Sequence, residues 1–386
     1  MRCLIERRKQ IFRGAAILAA CLALVLIAKG RVRQGAREPQ ETSLRDEIPM
    51  VSLRDEFKAK IEDLQTAGLW KPNRSLKPCR NTRGSDACYD TACHQRPSEG
   101  LEERLQNVRR SAVTVDTAVR NDIMKILNVQ PSGKRVLIIT GASSDHFLES
   151  QGLIQSLHQN VFPELNNYTF VYYDLGLKAK QIQQLKKHCQ CEVRRFPVEK
   201  MPPMHQKLRC YTWKAFIIEA NIRLADILIW ADASVRFHKS TIGPLLKEAN
   251  AKGIMMEAGL YPFSVSDHVQ KIMFDYFAEQ TCYFAQVGEM QATFLVFKNE
   301  RFIREAILKP WLACALDSRC MCPSDPEKLL MCNINVRKYN KCHRFDQAAL
   351  NIILAKLFWG YEQSFTPSRK YIDVNRDGKV HYFDHL

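Results

Sequence analysis

From residue 134 onward, short apolar runs alternate with stretches in which apolar residues recur every three or four positions. The run at 135–140, Arg-Val-Leu-Ile-Ile-Thr, closed by Gly141, predicts a buried strand. A helical pattern follows at 146–159, a second strand at 168–173, a helix at 178–187 and a third strand at 192–196. Then come a helix at 213–222 and a fourth strand at 226–230, which runs out on Ala231, Asp232, Ala233 and Ser234. Strands that alternate with helices predict an α/β fold, with a mainly parallel sheet covered on both faces. The remainder is mixed: strand-like at 253–256 and 292–297, helical at 301–315 and 345–359.

Upstream the pattern is weaker. Ser43-Leu44-Arg45-Asp46-Glu47 recurs nine residues later as Ser52-Leu53-Arg54-Asp55-Glu56. The second copy fits a capping box, Ser52 at the N-cap and Asp55 three residues on, opening a helix to about residue 65. This predicts a spacer with helical character. Residues 71–98 carry Pro, Asn, Gly and Cys79, Cys88 and Cys93, which predicts a disulfide-tied loop, and 99–128 read as helical. Near the start, residues 14–28 form an uncharged apolar run of 15 residues with basic flanks. A spanning helix needs about 20, and Ile11 and Phe12 extend the run if Arg13 snorkels. The basic lead and the polar stretch after Lys29 favour an uncleaved signal anchor; a cleaved signal peptide is the alternative. The expected division is a cytoplasmic tail (1–13), an anchor (14–29), a stem with a Cys-containing linker (30–98), a main domain (99–365) and a tail (366–386).

Composition narrows the class. With 386 residues, 46% apolar and 25% charged, the chain is ordinary globular protein, not collagen, coiled coil or bulk disorder. Much of its formal net charge of +16 sits at the start, where residues 1–38 hold nine Lys/Arg against two Glu, which leaves about +9 over the rest. The excess that remains favours anionic ligands such as nucleoside diphosphates or sulfated glycans. Nucleic acid is not expected, because no zinc-finger, RNP or basic-helix pattern is present. Twelve of the 14 cysteines follow the apolar run, as do two glycosylation sequons, Asn73-Arg74-Ser75 and Asn167-Tyr168-Thr169. Together they place the C-terminal part in the lumen, with disulfides favoured over zinc. The absence of GxSxG, HExxH, P-loop and GxGxxG patterns excludes the corresponding hydrolase, zincin, NTPase and dinucleotide sites at motif level.

Ligands of open α/β sheets bind beyond the carboxyl ends of the strands. Three clusters fall there. Gly141-Ala142-Ser143-Ser144-Asp145 opens a helix and offers backbone N–H groups to phosphate. Asp232, just past the fourth strand, suits a hard cation, a ribose or plain turn closure; Ser234 two residues on makes a metal site poorer than a second carboxylate would. His343-Arg344-Phe345-Asp346-Gln347 opens a helix whose dipole favours Asp346, with His343 a candidate metal ligand. Glu257, past the 253–256 strand, is a candidate base. At the C-terminus, Asp373, Asn375, Asp377, Gly378, Lys379 and Asp384 follow the spacing of a calcium loop, with Asp in the twelfth position where Glu is usual.

These motifs resemble a GT-A-type nucleotide-sugar glycosyltransferase of the secretory pathway. More closely, they are similar to a largely invertebrate family first described as a nematode domain of unknown function. The residues that carry the likeness are Tyr173-Asp174-Leu175-Gly176-Leu177, Tyr211-Thr212-Trp213-Lys214, the stretch 229–237, the stretch 311–316 and the stretch 343–351, across about 130–365. The resemblance implies a Rossmann-like GT-A domain over 99–365. It implies Mn²⁺ or Mg²⁺ on Asp232 and His343, with Ser234 departing from an Asp-x-Asp pair. It implies a nucleotide lined by Ala142, Ser143 and Asp145, a diphosphate near Lys214, and a donor sugar at Asp346 and Gln347. The expected partners are a nucleoside diphosphate sugar, a glycan or glycoprotein acceptor and, through the anchor, a membrane. The expectation is a Golgi type II membrane glycosyltransferase. The alternatives are a catalytically inactive protein of the same fold and a secreted, calcium-dependent glycan-binding module.

Overall fold

The apolar runs of the sequence become the centre of one sheet in the computed structural model, which describes residues 50–73, 96–110, 112, 117–129, 133–259, 263–323, 332, 339–376 and 378–386. In chain order the strands are β1 (Val136–Ala142), β2 (Tyr168–Asp174), β3 (Glu192–Arg195), β4 (Ile227–Ala231), β5 (Val235–Phe237), β6 (Ile254–Ala258), β7 (Met290–Lys298) and β8 (Ile372–Val374). Six of them form a sheet in the order β3-β2-β1-β4-β7-β6, and β5 pairs with β8 in a small second sheet. β1 pairs in parallel with β2 and β4, and β2 with β3; β7 runs antiparallel to β4 and β6. The molecule is thus mixed α/β with a mainly parallel central sheet, as the alternation predicts.

Continuous apolar runs make the inner strands because both faces of them are covered. Val136, Ile138, Phe170, Ile229 and Val296 pack on one side against the helices Phe147–Asn160 and Ile242–Lys252. On the other side the Trp230 ring lies 5.5 Å from Trp213 of the helix Thr212–Asn221, and Phe297 lies 6.3 Å from Trp311 of the helix Lys309–Leu316. The helix Phe345–Phe358 closes this layer and is buried along its whole length. One close approach depends on a glycine. A Cβ on Gly152 would stand 2.4 Å from the Arg236 guanidinium, which there donates to the carbonyls of Glu149, Ala233 and Val235.

Several elements differ from the pattern-based expectation. The helical stretch expected at 99–128 is two helices, Leu101–Arg109 and Thr117–Leu127. The helix expected at 301–315 winds as a π-helix over Ile303–Leu308 before the α-helix Lys309–Leu316; Pro310, at the junction, has no N–H to continue the ladder. The spacer helix is part of the domain. It runs Met50–Thr66, so Ser52 lies inside its first turn and does not cap it. Its Leu53, Phe57 and Leu64 are fully buried, Phe57 stacks on Phe302 at 5.2 Å, and Lys60 meets Glu300 at 2.6 Å. The expected tail is integrated as well: β8 pairs with β5, and Phe383 is buried against the helix Phe147–Asn160.

Disulfides join Cys189 to Cys191, Cys210 to Cys322, Cys314 to Cys320 and Cys332 to Cys342. The expected anchor at 14–29, its flanking tail, the first SLRDE copy, Cys79, Cys88, Cys93 and Asp377 lie outside the described residues. Among the described residues, no helix is long and apolar enough to cross a membrane.

Candidate functional site

The order of the sheet reverses between β1 and β4. β1 leads to β2 on one side, and β4 leads on toward β6 on the other. Beyond the carboxyl ends of such a pair lies the usual crevice of open α/β sheets. A cleft of about 480 Å³ lies there, lined by Ala142, Ser143, Asp145, Tyr211, Asp232 and Arg376, among others. Ala142 ends β1, and Ser144–His146 turns as a 3₁₀ segment into the next helix. The Ser143 hydroxyl donates to Asp145 and holds that carboxyl below its usual range. His146 sits 2.8 Å from Glu149, which raises the imidazole above its ordinary value. Ser234 also lines the cleft, nearly buried, its carbonyl accepting the Asn375 N–H at 2.8 Å.

Asp232 forms the floor together with a buried charge pair. Its backbone N–H donates to Thr293 across β4 and β7 at 2.9 Å. Its Oδ1 accepts the Trp230 indole N–H at 2.6 Å and faces Lys214 Nζ at 3.2 Å. Lys214 also reaches Asp346 Oδ2 at 2.9 Å and donates to the Ala292 carbonyl at 3.0 Å. Its side chain is 3% exposed. Burial works against the ammonium, but the carboxylates of Asp232 and Asp346 outweigh it and hold the group above the ordinary lysine range. Lys214 therefore faces inward: its charge goes to two carboxylates, and it does not line the cleft where the resemblance placed a diphosphate. Tyr211, in the left-handed region at φ 56°, starts the helix that carries it, and Cys210 beside it is tied to Cys322.

The remaining candidates do not all converge here. His343 is fully buried against Phe345, its Nδ1 accepts the Gln270 N–H at 3.3 Å, and burial pushes it down to about 4. It belongs to no cluster of metal-binding side chains among the described residues; the group that does gather is His268, Cys332 and Cys342, whose two sulfurs are bonded to each other. Asp346 and Gln347 look in different directions. Asp346 joins Lys214, while Gln347 donates to Glu289 at 3.4 Å, and Glu289 in turn meets His268 Nδ1 at 2.7 Å. In the calcium-like segment, Asp373 pairs with His238 at 2.8 Å and Asp384 with His381 at 3.2 Å; Lys379 is exposed and Asn375 packs beneath Gly378.

A divalent cation does not fit at Asp232. One of its oxygens already has two donors, one of them a full positive charge. The second position is an uncharged, buried serine, and His343 lies elsewhere.

The sequence missed two features. Arg376 sits within the calcium-like spacing, yet it reaches the cleft and donates to Gln291 at 2.8 Å and Thr293 at 3.0 Å. Only the pairing of β8 with β5 brings it there. A second, larger cleft of about 640 Å³ lies farther along the same edge of the sheet, past the ends of β6 and β7, with Lys71, Glu248, Lys252, Glu289 and Arg369 around it. Glu257, which lines neither cleft, stands opposite Gln291 in the β6–β7 ladder. Burial raises its carboxyl to about 7, with Arg369 opposing.

Residues 107–219 match a family described as "Protein of unknown function (DUF1647)". No curated protein matches the sequence. Among solved structures, the chain is similar to the bifunctional glycosyltransferase WbbM in its apo form, with 13% identity over 60% of this chain and 39% of that one, at a TM-score of 0.37. It therefore spans about two fifths of WbbM. It is similar to the galactosyltransferase LgtC in complex with donor and acceptor sugar analogues, with 11% identity over 64% of this chain and 93% of that one, at a TM-score of 0.33. It is also similar to mouse xyloside xylosyltransferase 1 in its apo form, with 11% identity over 64% of this chain and 98% of that one, at a TM-score of 0.36.

Proposed function

We propose that the protein is a nucleotide-sugar glycosyltransferase of the secretory pathway, held at the Golgi membrane by the apolar run near its N-terminus. The observation that carries the reading is the cleft between the ends of β1 and β4, at the reversal of the sheet, with Asp232 on its floor. In this reading the nucleotide lies along Ala142–Asp145, and Asp232 accepts hydroxyls of the ribose or the sugar. The diphosphate faces Arg376 and Arg209, both exposed at the cleft. Asp346 and Gln347 are nearly buried and act through Lys214 and Glu289, so they position the site and do not touch the sugar. The second cleft takes the acceptor, a glycan or glycoprotein hydroxyl.

The transfer forms a bond from the acceptor oxygen to the anomeric carbon and breaks the bond from that carbon to the diphosphate. The nucleoside diphosphate leaves with the electron pair, and Glu257, raised toward neutrality near the end of β6, takes the hydroxyl proton. Thermal melting of the full chain against UDP, GDP, CDP and their sugar conjugates tests the reading. A ligand at a hundred times its Kd adds about 2.7 kcal/mol, a rise of roughly 5 °C for a domain of this size. A rise with one base identifies the donor; no rise with any of them removes the donor site. Ser234, where a second carboxylate is absent, favours one other reading, a binding protein without turnover. Release of nucleoside diphosphate from the bound conjugate separates the two.

A further inference from the structure

One positive charge is already built into the protein beneath this cleft. Lys214 Nζ lies 3.2 Å from Asp232 Oδ1 and 2.9 Å from Asp346 Oδ2, and it donates to the Ala292 carbonyl at 3.0 Å. Aromatic rings surround it, with Tyr211, Trp213 and Trp230 centred 5.7, 5.9 and 5.4 Å away. Rings at this distance favour a cation and shield it from water. The Asp232 oxygen that faces the ammonium also takes the Trp230 indole N–H. The position two residues on, Ser234, contributes no charge.

We propose that Lys214 is a fixed counter-cation, seated between the two carboxylates that would otherwise share a divalent ion, and that the cleft therefore binds the diphosphate of its ligand without a metal. The proposal rests on the nucleotide reading of the cleft for its second half only; the seat of the ammonium is independent of it. The charge that meets the diphosphate comes from Arg376 and Arg209 at the cleft wall. Arg376 is held over the cleft by Gln291 and Thr293, which leaves the rest of its guanidinium for an anion.

Two measurements on the full chain decide it. The first follows Mn²⁺ by paramagnetic resonance with no nucleotide present, in wild type and in Lys214→Ala. Wild type is expected to show no specific Mn²⁺ site. Lys214→Ala, with two facing carboxylates and no ammonium, is expected to bind Mn²⁺ and to melt several degrees higher in its presence. A specific Mn²⁺ site in wild type overturns the proposal, and so does a folded Lys214→Ala that ignores Mn²⁺. If that variant does not fold, wild type alone decides through the second measurement together with its own Mn²⁺ titration. The second measures affinity for UDP, GDP and CDP in EDTA and in millimolar Mn²⁺. The expected result is one nucleotide bound equally, within about twofold, under both conditions. A gain of tenfold or more with Mn²⁺ overturns metal independence and leaves the nucleotide site standing. If no nucleotide binds under either condition, the donor reading fails, and the Mn²⁺ titration still decides the role of Lys214.

Discussion

The two halves of the sheet edge are built differently. On the parallel half, strand ends lead into short turns, and one buried ammonium sits between two carboxylates beneath an open cleft. On the antiparallel half, long irregular segments make the walls, and the charges are settled in pairs: Lys252 with Glu248 and the Thr366 carbonyl, and Lys356 with Glu279. The lesson concerns where specificity for a charged ligand can sit. The parallel half leaves Arg376 facing the cleft. The antiparallel half pairs its buried charges internally and keeps the exposed Lys71 and Arg369 at the wall of the second cleft.

The most damaging change should be loss of Lys214. Removing one partner of a buried ion pair leaves an uncompensated charge and costs about 3–5 kcal/mol. Lys214→Met is expected to lose stability on that scale in denaturant melts. Adding Asp346→Asn should restore part of it, since one stranded charge is then gone. If Lys214→Met is neutral, the buried charge network does not organise the parallel half.

A smaller effect separates the halves directly. Arg376→Ala removes a charged donor at the cleft wall, and such donors contribute about 1.5–3 kcal/mol. Nucleotide affinity should therefore fall by roughly ten- to a hundredfold in calorimetric titration, with little change in melting temperature, because the side chain is exposed. Equal affinity in the variant would move the diphosphate away from Arg376.

The sequence announced the parallel half more clearly, for a physical reason. β1, β2 and β4 are covered on both faces, so local apolar runs mark them, and Asp232 stands out as a carboxylate at the end of such a run. The direction of β7 and the pairing of β8 with β5 are invisible locally. They depend on contacts between segments far apart in the chain, as Trp230 opposite Leu295 and Arg236 opposite Asp373 show. Lys214 was legible as a charge near the site, yet its burial between residues 232 and 346 was not. The spacing around Asp373 suggests calcium because it counts oxygens; in the fold, Asp373 and Asp384 each pair with a histidine, and Asp377 lies outside the described residues. The helix Met50–Thr66 read as a spacer because too few of its positions are apolar; the three that are buried make its contact with the domain.

The proton-transfer role of Glu257 gives a third test. Its carboxyl is raised to about 7, so transfer should rise with pH through neutrality and level off above it. Glu257→Gln should remove that dependence and lower the rate while leaving nucleotide affinity intact. Stability should move the opposite way. A carboxyl whose folded value lies above its unfolded one stabilises the fold at low pH and loses that contribution as pH climbs toward 7. A pH–rate profile unchanged in the variant would assign the proton elsewhere.

The smallest expected effect concerns the sequons. Asn167 is exposed in the turn before β2 and should carry a glycan if the domain is lumenal. The amide of Asn73 is already engaged, donating to Glu362 and accepting the Gln363 N–H at 2.9 Å, so it should remain bare. Mass spectrometry after glycosidase treatment of protein from a secretory host reads both positions. A glycan on Asn73 would mean that this contact opens before or after folding.

In this reading the donor sits on the parallel half. Hydrogen–deuterium exchange of the full chain, with and without the nucleotide that raises its melting temperature, locates it. Slowed exchange is expected at residues 142–149, 209–214 and 374–376, and none at 363–369, where the antiparallel half forms the second cleft. Protection confined to 363–369 and the neighbouring ends of β6 and β7 would contradict it.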